Sequence, residues 1–263
     1  MKGIDVSTLQ GTINWSRVKA DGVEFAMIKA TQGRGEGATT KNLRVFTDSK
    51  FATNIKNAHN AGIPCGVYHY FTAQSDSEAV YEARYFINTI KPYKRYIDLW
   101  CAVDVESEPY LKDVDSKTLT SATKKFMDYV KKAGYKPILY TNPNYLKYRF
   151  TPNAFNDCDI WLAHWGVSKP MSMPNTQIWQ YGLGRVNGIN ADVDLDEGYF
   201  DSSEQREDSV KEHKVGDKYT IQKGDVYSNG KAVPDRLIGK TYTISQVRED
   251  RILLREIASW VSI

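Results

Sequence analysis

An apolar run, Leu99-Trp100-Cys101-Ala102-Val103-Asp104-Val105-Glu106, ends in two carboxylates two residues apart. On an extended strand alternate side chains share a face, so Asp104 and Glu106 point the same way and Val105 the other. Burial and mutual repulsion at the end of an apolar strand raise the pKa of at least one of the pair. A carboxyl so raised can donate a proton near neutral pH, so the pattern fits general acid chemistry with a second carboxylate beside the acid. Two strand caps facing water are the plainer account of an isolated Asp-x-Glu. What separates the two accounts is whether other acidic residues gather at the same place.

The elements that would gather them are legible as alternating patterns. Strand-like runs cover Gly3–Ser7, Glu24–Thr31, Pro64–Phe71, Ile97–Val105, Pro137–Thr141, Asp159–Ala163, Thr176–Tyr181 and Ala191–Leu195. Helical spacing covers Ser49–Ala61 (Phe51, Ile55, Ala58 on one face), Ser77–Lys91 (Val80, Ala83, Ile87, Ile90) and Ser116–Lys132 (Leu119, Ala122, Phe126, Tyr129, Val130). Eight strands alternating with helices predict an α/β fold with a parallel barrel. The last four strands are joined by segments too short, or too rich in Pro, Asn and Gly, for full helices, so the expected fold is a distorted (β/α) TIM-like barrel with incomplete outer helices. Reactive residues of such barrels sit where strands end. Asp5 ends the first strand, His69 and Tyr70 the third, Asp104 and Glu106 the fourth, and Asp192 and Asp194 lie on the eighth. In a closed barrel strands one and eight are neighbours, so these carboxylates converge.

Past Tyr199-Phe200 the chain turns charged and poor in apolar residues. The expected organisation is a barrel over 1–204, a linker over 205–217 and a small all-β domain over 218–263. The last is read from Tyr219–Ile221, Thr241–Ile244 and Ile252–Leu254 with an Asn229-Gly230 hairpin signal.

The 263 residues are 41% hydrophobic and 25% charged, with 35 basic against 32 acidic side chains and no dense basic block, which argues against a nucleic-acid partner. No apolar run approaches a membrane span, so no membrane partner is expected. Three widely spaced cysteines, Cys65, Cys101 and Cys158, form neither a disulfide framework nor a metal site. The opening Met1-Lys2-Gly3-Ile4-Asp5-Val6 enters a strand pattern at once. That gives the expectation that there is no signal peptide, so that work outside the cell would need another route of release. No Gly-x-Ser-x-Gly, His-Glu-x-x-His, Cys-x-x-Cys or Walker-type loop occurs; Gly33-Arg34-Gly35-Glu36-Gly37 reads as a loop. His59 and His213 read as structural or exposed, whereas His69 and His164 stand at strand ends, where they read either as structural or as lining a pocket. The 17 Tyr and 6 Trp can stack on sugar rings, although most must pack the core.

Several segments taken in order resemble the family 25 glycoside hydrolases, the Chalaropsis-type lysozymes or muramidases common among phage endolysins. They are Ile4-Asp5-Val6-Ser7, Ile28-Lys29-Ala30-Thr31, Gly66-Val67-Tyr68-His69-Tyr70-Phe71, Asp104-Val105-Glu106, Tyr140-Thr141-Asn142, Ile178-Trp179-Gln180-Tyr181 and Val193-Asp194-Leu195-Asp196. The resemblance covers about residues 1 to 200. It implies hydrolysis of the β-1,4 bond between N-acetylmuramic acid and N-acetylglucosamine in peptidoglycan, with glycan strands of a Gram-positive wall as partner and no cofactor or metal. Carried over position by position, it implies Glu106 as general acid, Asp104 as its carboxylate partner, and Asp5 and Asp194 as further acids of the catalytic set. It implies Lys29, Tyr68, Tyr140, Trp165 and Gln180 as groove residues that bind substrate. Asp196 stands where the family commonly has Asn and is expected to cap a turn, and Asp192 is a rival for the role of Asp194. The segments Asp225-Val226-Tyr227, Gly239-Lys240-Thr241-Tyr242 and Ser259-Trp260 resemble SH3-like modules that bind cell walls. Stabilising the barrel or pairing two chains is the other role open to them.

Cleavage through an oxocarbenium-like state needs an acid at the leaving oxygen and negative charge or a nucleophile near the anomeric carbon. Asp104 can be that nucleophile, a base for water, or the group that orients the substrate's acetamido oxygen for attack. Two other classes compete: a barrel that binds wall glycan without turnover, and a metal-dependent hydrolase using the same acids as ligands.

Overall fold

The structure is a computed structural model and describes residues 1–34, 45–106, 108–201, 213–222, 224–229, 231–248 and 251–262. Most of the linker and parts of the Gly33–Gly37 and Asn229-Gly230 segments lie outside the described residues. Contacts divide the chain into two compact units, Met1–Arg206 and Glu207–Ile263.

The first unit is a barrel of eight strands: β1 (Lys2–Val6), β2 (Phe25–Gln32) with a two-residue partner β3 (Phe46–Thr47), β4 (Cys65–Tyr70), β5 (Cys101–Asp104), β6 (Pro137–Thr141), β7 (Ile160–Ala163), β8 (Thr176–Gly184) and β9 (Val193–Gly198). Pairing runs parallel from β1 through β2 and β4 to β8. The barrel then closes through β9, which is antiparallel to both β8 and β1. The last strand thus corrects the expectation of an all-parallel barrel. Residues 185–192 join β8 to β9 as a hairpin, which leaves no room for a crossover helix and obliges β9 to return antiparallel.

Outside the sheet lie α1 (Trp15–Ala20), α2 (Phe51–Asn60), α3 (Asp76–Ile90), α4 (Glu108–Leu111) and α5 (Ser116–Lys132). After β6 there is only a helical turn over Tyr145–Arg149, and no helix lies between β7 and β9, so the outer ring is incomplete. Local signals set the helix starts: the side chains of Ser75 and Asp115 cap α3 and α5 by accepting from the N–H of Glu78 and Thr118. On α3 the buried face is Ala79, Glu82, Ala83, Phe86, Ile87 and Ile90. Val80, expected inward, is 38% exposed, because the face centres on Glu82 and Phe86. Among the described residues no helix is long and apolar enough to cross a membrane.

Period-two alternation separates two cores. Outward-facing residues such as Ala26, Ile28, Val67, Val103, Leu139 and Leu162 pack in the core that includes the helices. Phe25, Met27, Tyr68, Trp100, Ala102, Ile138, Tyr140, Trp161 and Ile178 fill the barrel interior. A Cβ on Gly3 would sit 2.1 Å from the Phe25 ring, so only glycine lets that ring plug the barrel floor.

A polar cluster ties the upper ends of β2 and β4 to α3. Glu82, fully buried, accepts from Thr72 N (3.1 Å) and Thr72 Oγ1 (2.7 Å) and lies 2.8 Å from His69 Nε2. The other ring nitrogen of His69 bonds Thr31 Oγ1 at 2.6 Å, and Phe126 stacks on the ring. His69 therefore faces outward into structure, not into the barrel. Cys65 and Cys101 are buried thiols.

The second unit is a four-stranded antiparallel meander: β10 (Lys218–Thr220), β11 (Thr241–Arg248), β12 (Arg251–Leu254) and β13 (Ser259–Ser262). Ile221, Val233, Tyr242, Ile244, Ile252, Leu254 and Val261 form its core. Strand β13 has no counterpart among the runs read from sequence; its alternation, Ser-Trp-Val-Ser, is only four residues long.

Candidate active site

Two residues beyond the interior apolar layer, the same faces of the strands carry polar side chains. Asp5 on β1, Lys29 on β2, Tyr68 and Tyr70 on β4, Asp104 on β5, Tyr140 on β6, Gln180 on β8 and Asp194 on β9 line a groove of about 490 Å³ with Glu106, Trp161 and Trp165. Strand register explains the convergence: Asp104 pairs with Tyr70 on one side and Tyr140 on the other, and Asp5 pairs with Asp194. All nine residues named from the sequence thus share one groove. A larger cleft of about 720 Å³, lined by Asn14, Arg17, Asn57, Asn60 and residues 186–190, contains none of the carboxylates.

A hydrogen-bonded relay crosses the groove. Gln180 Nε2 donates to Asp5 Oδ2 at 2.8 Å, while Gln180 Oε1 accepts from Trp165 Nε1 at 2.9 Å and from the Tyr140 hydroxyl at 3.1 Å. Tyr140 also reaches Glu106 Oε2 at 3.3 Å. Trp165 is 46% exposed, which leaves indole surface at the groove mouth. Lys29 Nζ donates to Gln32 Oε1 at 2.8 Å and lies 5.0 Å from the Tyr70 ring centre.

Burial dominates the electrostatics. It pushes the Asp104 carboxyl well above its ordinary value, Glu106 pushes it further, and Lys29 opposes both. Asp104 Oδ1 is buried without a hydrogen-bond partner. Glu106 is also raised by burial, opposed first by the Tyr140 hydrogen bond, and raised again by Asp194. Asp5 is raised by burial and then by Asp196 and Asp194, and Asp194 by burial. The Lys29 ammonium is lowered by burial against the pull of Asp104, Asp48 and Glu106. The groove therefore holds carboxyls that keep protons above the usual range, beside one cation.

Residues 4–189 match the family model described as glycosyl hydrolases family 25. The chain belongs to that family. Two relatives of this glycosyl hydrolase are the autolytic lysozyme of Clostridium acetobutylicum, 36% identical over 75% of this chain and 55% of the relative, and lysozyme M1 of Streptomyces globisporus, 34% identical over 74% and 66%. The family 25 chain thus spans little more than half of the first relative and about two thirds of the second. The crystal structure of a bacterial lysozyme from Streptomyces coelicolor superposes with a TM-score of 0.66 and 28% identity, covering 80% of this chain and 96% of that one. The mixed α/β eight-stranded barrel is the fold the family 25 chain shares with it.

Two readings need correction in this family 25 barrel. Asp196 caps no turn: it lies within β9, fully buried, with Oδ1 accepting from Trp161 Nε1 at 2.8 Å and Oδ2 without a partner. Asp192 is no rival of Asp194; it is exposed and ion-paired with Arg185 at 2.8 Å in the β8–β9 hairpin. His164 Nδ1 accepts from the N–H of Met171 and lies outside the groove lining. Sequence reading missed Ser7, Leu9, Gln10, Asn142 and Trp161 as lining residues. The signal for Trp161 was present, since it stands two positions before Ala163 on a strand whose alternate faces could have been assigned.

Proposed function

We propose that this family 25 chain is a muramidase that hydrolyses the β-1,4 bond following N-acetylmuramic acid in peptidoglycan. The observation that carries this is the gathering of Asp5, Asp104, Glu106 and Asp194 on one groove with the amide and hydroxyl relay of Gln180 and Tyr140. Glu106, held protonated by burial, is the general acid and gives its proton to the leaving 4-oxygen of N-acetylglucosamine. Asp104, deeper and with an unused oxygen, accepts the acetamido N–H of the muramyl residue and aims its carbonyl oxygen at the anomeric carbon. The C1–O4 bond breaks as the C1–O bond to the acetamido oxygen forms. Water then opens that ring, giving its proton to the Glu106 carboxylate, so two inversions leave net retention. Lys29, Tyr68, Trp165, Asp5 and Asp194 contact or orient the sugars.

For the whole protein the reading is of an endolysin type, made in a bacterial cytoplasm and acting on a Gram-positive wall after release. Its four-stranded C-terminal unit is read as an SH3-like wall-binding module, with self-association as the alternative role of that unit. The deciding experiment digests purified peptidoglycan, reduces the new ends with borohydride and identifies the sugar. Muramitol is expected. Reduced N-acetylglucosamine would mean a glucosaminidase, and no new reducing end at all would favour a glycan-binding protein without turnover. Activity abolished by a chelator and restored by a divalent cation would favour the metal-dependent class.

A further inference from the structure

Below the groove, Asp196 is a carboxyl with no place in the chemistry just described. It is fully buried on β9, level with Gly3 of β1, and its one hydrogen bond is the 2.8 Å contact from the indole N–H of Trp161. We infer that Asp196 is a positioning residue: through Trp161 it fixes the ring of Tyr140, and with it the hydroxyl that Tyr140 presents to Glu106 and Gln180. The chain of contact is continuous. The Trp161 ring meets that of Tyr140 edge-on, with centroids 4.6 Å apart, and that of Tyr68 at 5.9 Å. Tyr140 then reaches Glu106 and Gln180 at 3.3 and 3.1 Å. The Trp161 and Tyr140 rings are in direct edge contact, so a displaced indole would displace the phenol with it. The inference rests on the muramidase reading only for its activity readout.

The groups facing Asp196 offer it no cation. Asp5 faces it from β1, Asp194 from its own strand, and the Tyr181 hydroxyl from β8, while β7 supplies only Trp161. Met1, Lys2, Glu24 and Glu197 border a surface hollow beside it, but the Lys2 ammonium is bound to Asp21 at 3.2 Å and the Met1 ammonium donates to the Gly198 carbonyl at 2.9 Å. Burial raises the Asp196 carboxyl well above the carboxylate range, consistent with an uncharged acid whose carbonyl oxygen accepts the indole N–H. An amide has the same shape and the same acceptor, which makes Asp196→Asn the conservative exchange.

The test compares Asp196→Leu, Asp196→Asn and Trp161→Phe with the wild type in the full chain, on solubilised peptidoglycan across pH, with the indole N–H resonances followed by NMR. Asp196→Leu is expected to lose about tenfold or more in kcat with little change in KM. Its basic pH limb should move upward by roughly half a unit, the direction expected when Glu106 loses the Tyr140 hydrogen bond. Asp196→Asn should restore kcat, the limb and the Trp161 indole resonance. Trp161→Phe, which removes the same bond from its other end, should reproduce the leucine result, and it keeps the test open if Asp196→Leu does not fold. A folded Asp196→Leu that matches Asp196→Asn in kcat and pH profile overturns the inference, as does Trp161→Phe with an unmoved limb. A wild type without turnover would remove the muramidase reading instead; the indole resonance would then decide, being lost in Asp196→Leu and kept in Asp196→Asn if the inference holds.

Discussion

At the scale of single residues, Glu106 and Asp104 are set apart by depth and partners rather than by type. Glu106 meets Tyr140 and faces the groove, whereas Asp104 lies 5% exposed with one oxygen unbonded. Glu106→Gln keeps shape but has no proton to transfer, so kcat should fall by about a hundredfold to ten-thousandfold, toward the upper end for an alkoxide leaving group. Circular dichroism and glycan affinity should stay near wild type. Retention of more than about a tenth of the turnover would remove Glu106 as the acid. The pH profile tests its surroundings with opposite signs. Asp194→Asn removes a neighbouring charge that raises Glu106, so the Glu106 carboxyl ionises more easily and the basic limb of the residual activity should move to lower pH. Tyr140→Phe removes a hydrogen bond that favours the ionised form, so the same limb should move to higher pH. Limbs that move together, or not at all, would mean that another group sets the profile.

At the scale of elements, the groove depends on strands held in register, and the cluster on Glu82 clamps β2 and β4 to α3 just outside it. Glu82→Leu would strand the Thr72 N–H and hydroxyl and the His69 ring in an apolar setting, each at roughly 1–3 kcal/mol. A loss of about 3 kcal/mol or more is expected in urea unfolding, a large part of the net stability of an ordinary domain. An unchanged midpoint would show that water replaces the lost partner. Gly33 is bound up with the same cluster, since a Cβ there would lie 2.0 Å from Thr72 Oγ1 and 2.2 Å from Glu82 Oε1.

Across the whole molecule, the buried acids set a pH dependence of stability. Asp5, Asp104, Asp194 and Asp196 all have folded pKa values raised above the ordinary 3.8. Between that value and each raised value the folded state binds more protons than the unfolded chain, so stability falls as pH rises through this window. The barrel should therefore be most stable in mild acid, and Asp196→Asn should flatten the decline; a Tm that climbs from pH 5 to 8 would contradict the assignment. The two compact units carry a further expectation. Met1–Arg206, with its own closed sheet and two cores, should fold alone and cleave solubilised glycan, while lysing whole cells more slowly than the full chain. Equal rates of cell lysis would remove the wall-targeting role of the C-terminal unit.

What the sequence by itself determined was the order of the eight barrel strands and three long helices, and the strand ends that bear carboxylates. Alternation is a local property: Ile28-Lys29-Ala30, Trp100 to Asp104 and Ile138 to Tyr140 each declare which side chains share a face. The capped helices are local too, and α5 has the bounds that its spacing predicts. The direction of β9 was not local, because a strand's alternation is the same whichever way it runs, and only pairing with β8 and β1 decides it. That pairing is also what sends Asp196 into the interior, leaves Asp192 on an exposed hairpin, and sets Asp194 opposite Asp5. The Tyr140–Gln180–Asp5 relay joins residues 40 and 175 positions apart. Hydrogen bonds over such distances arise only when closure brings the strand ends together, so the tertiary structure alone decided which of the legible acids and amides meet.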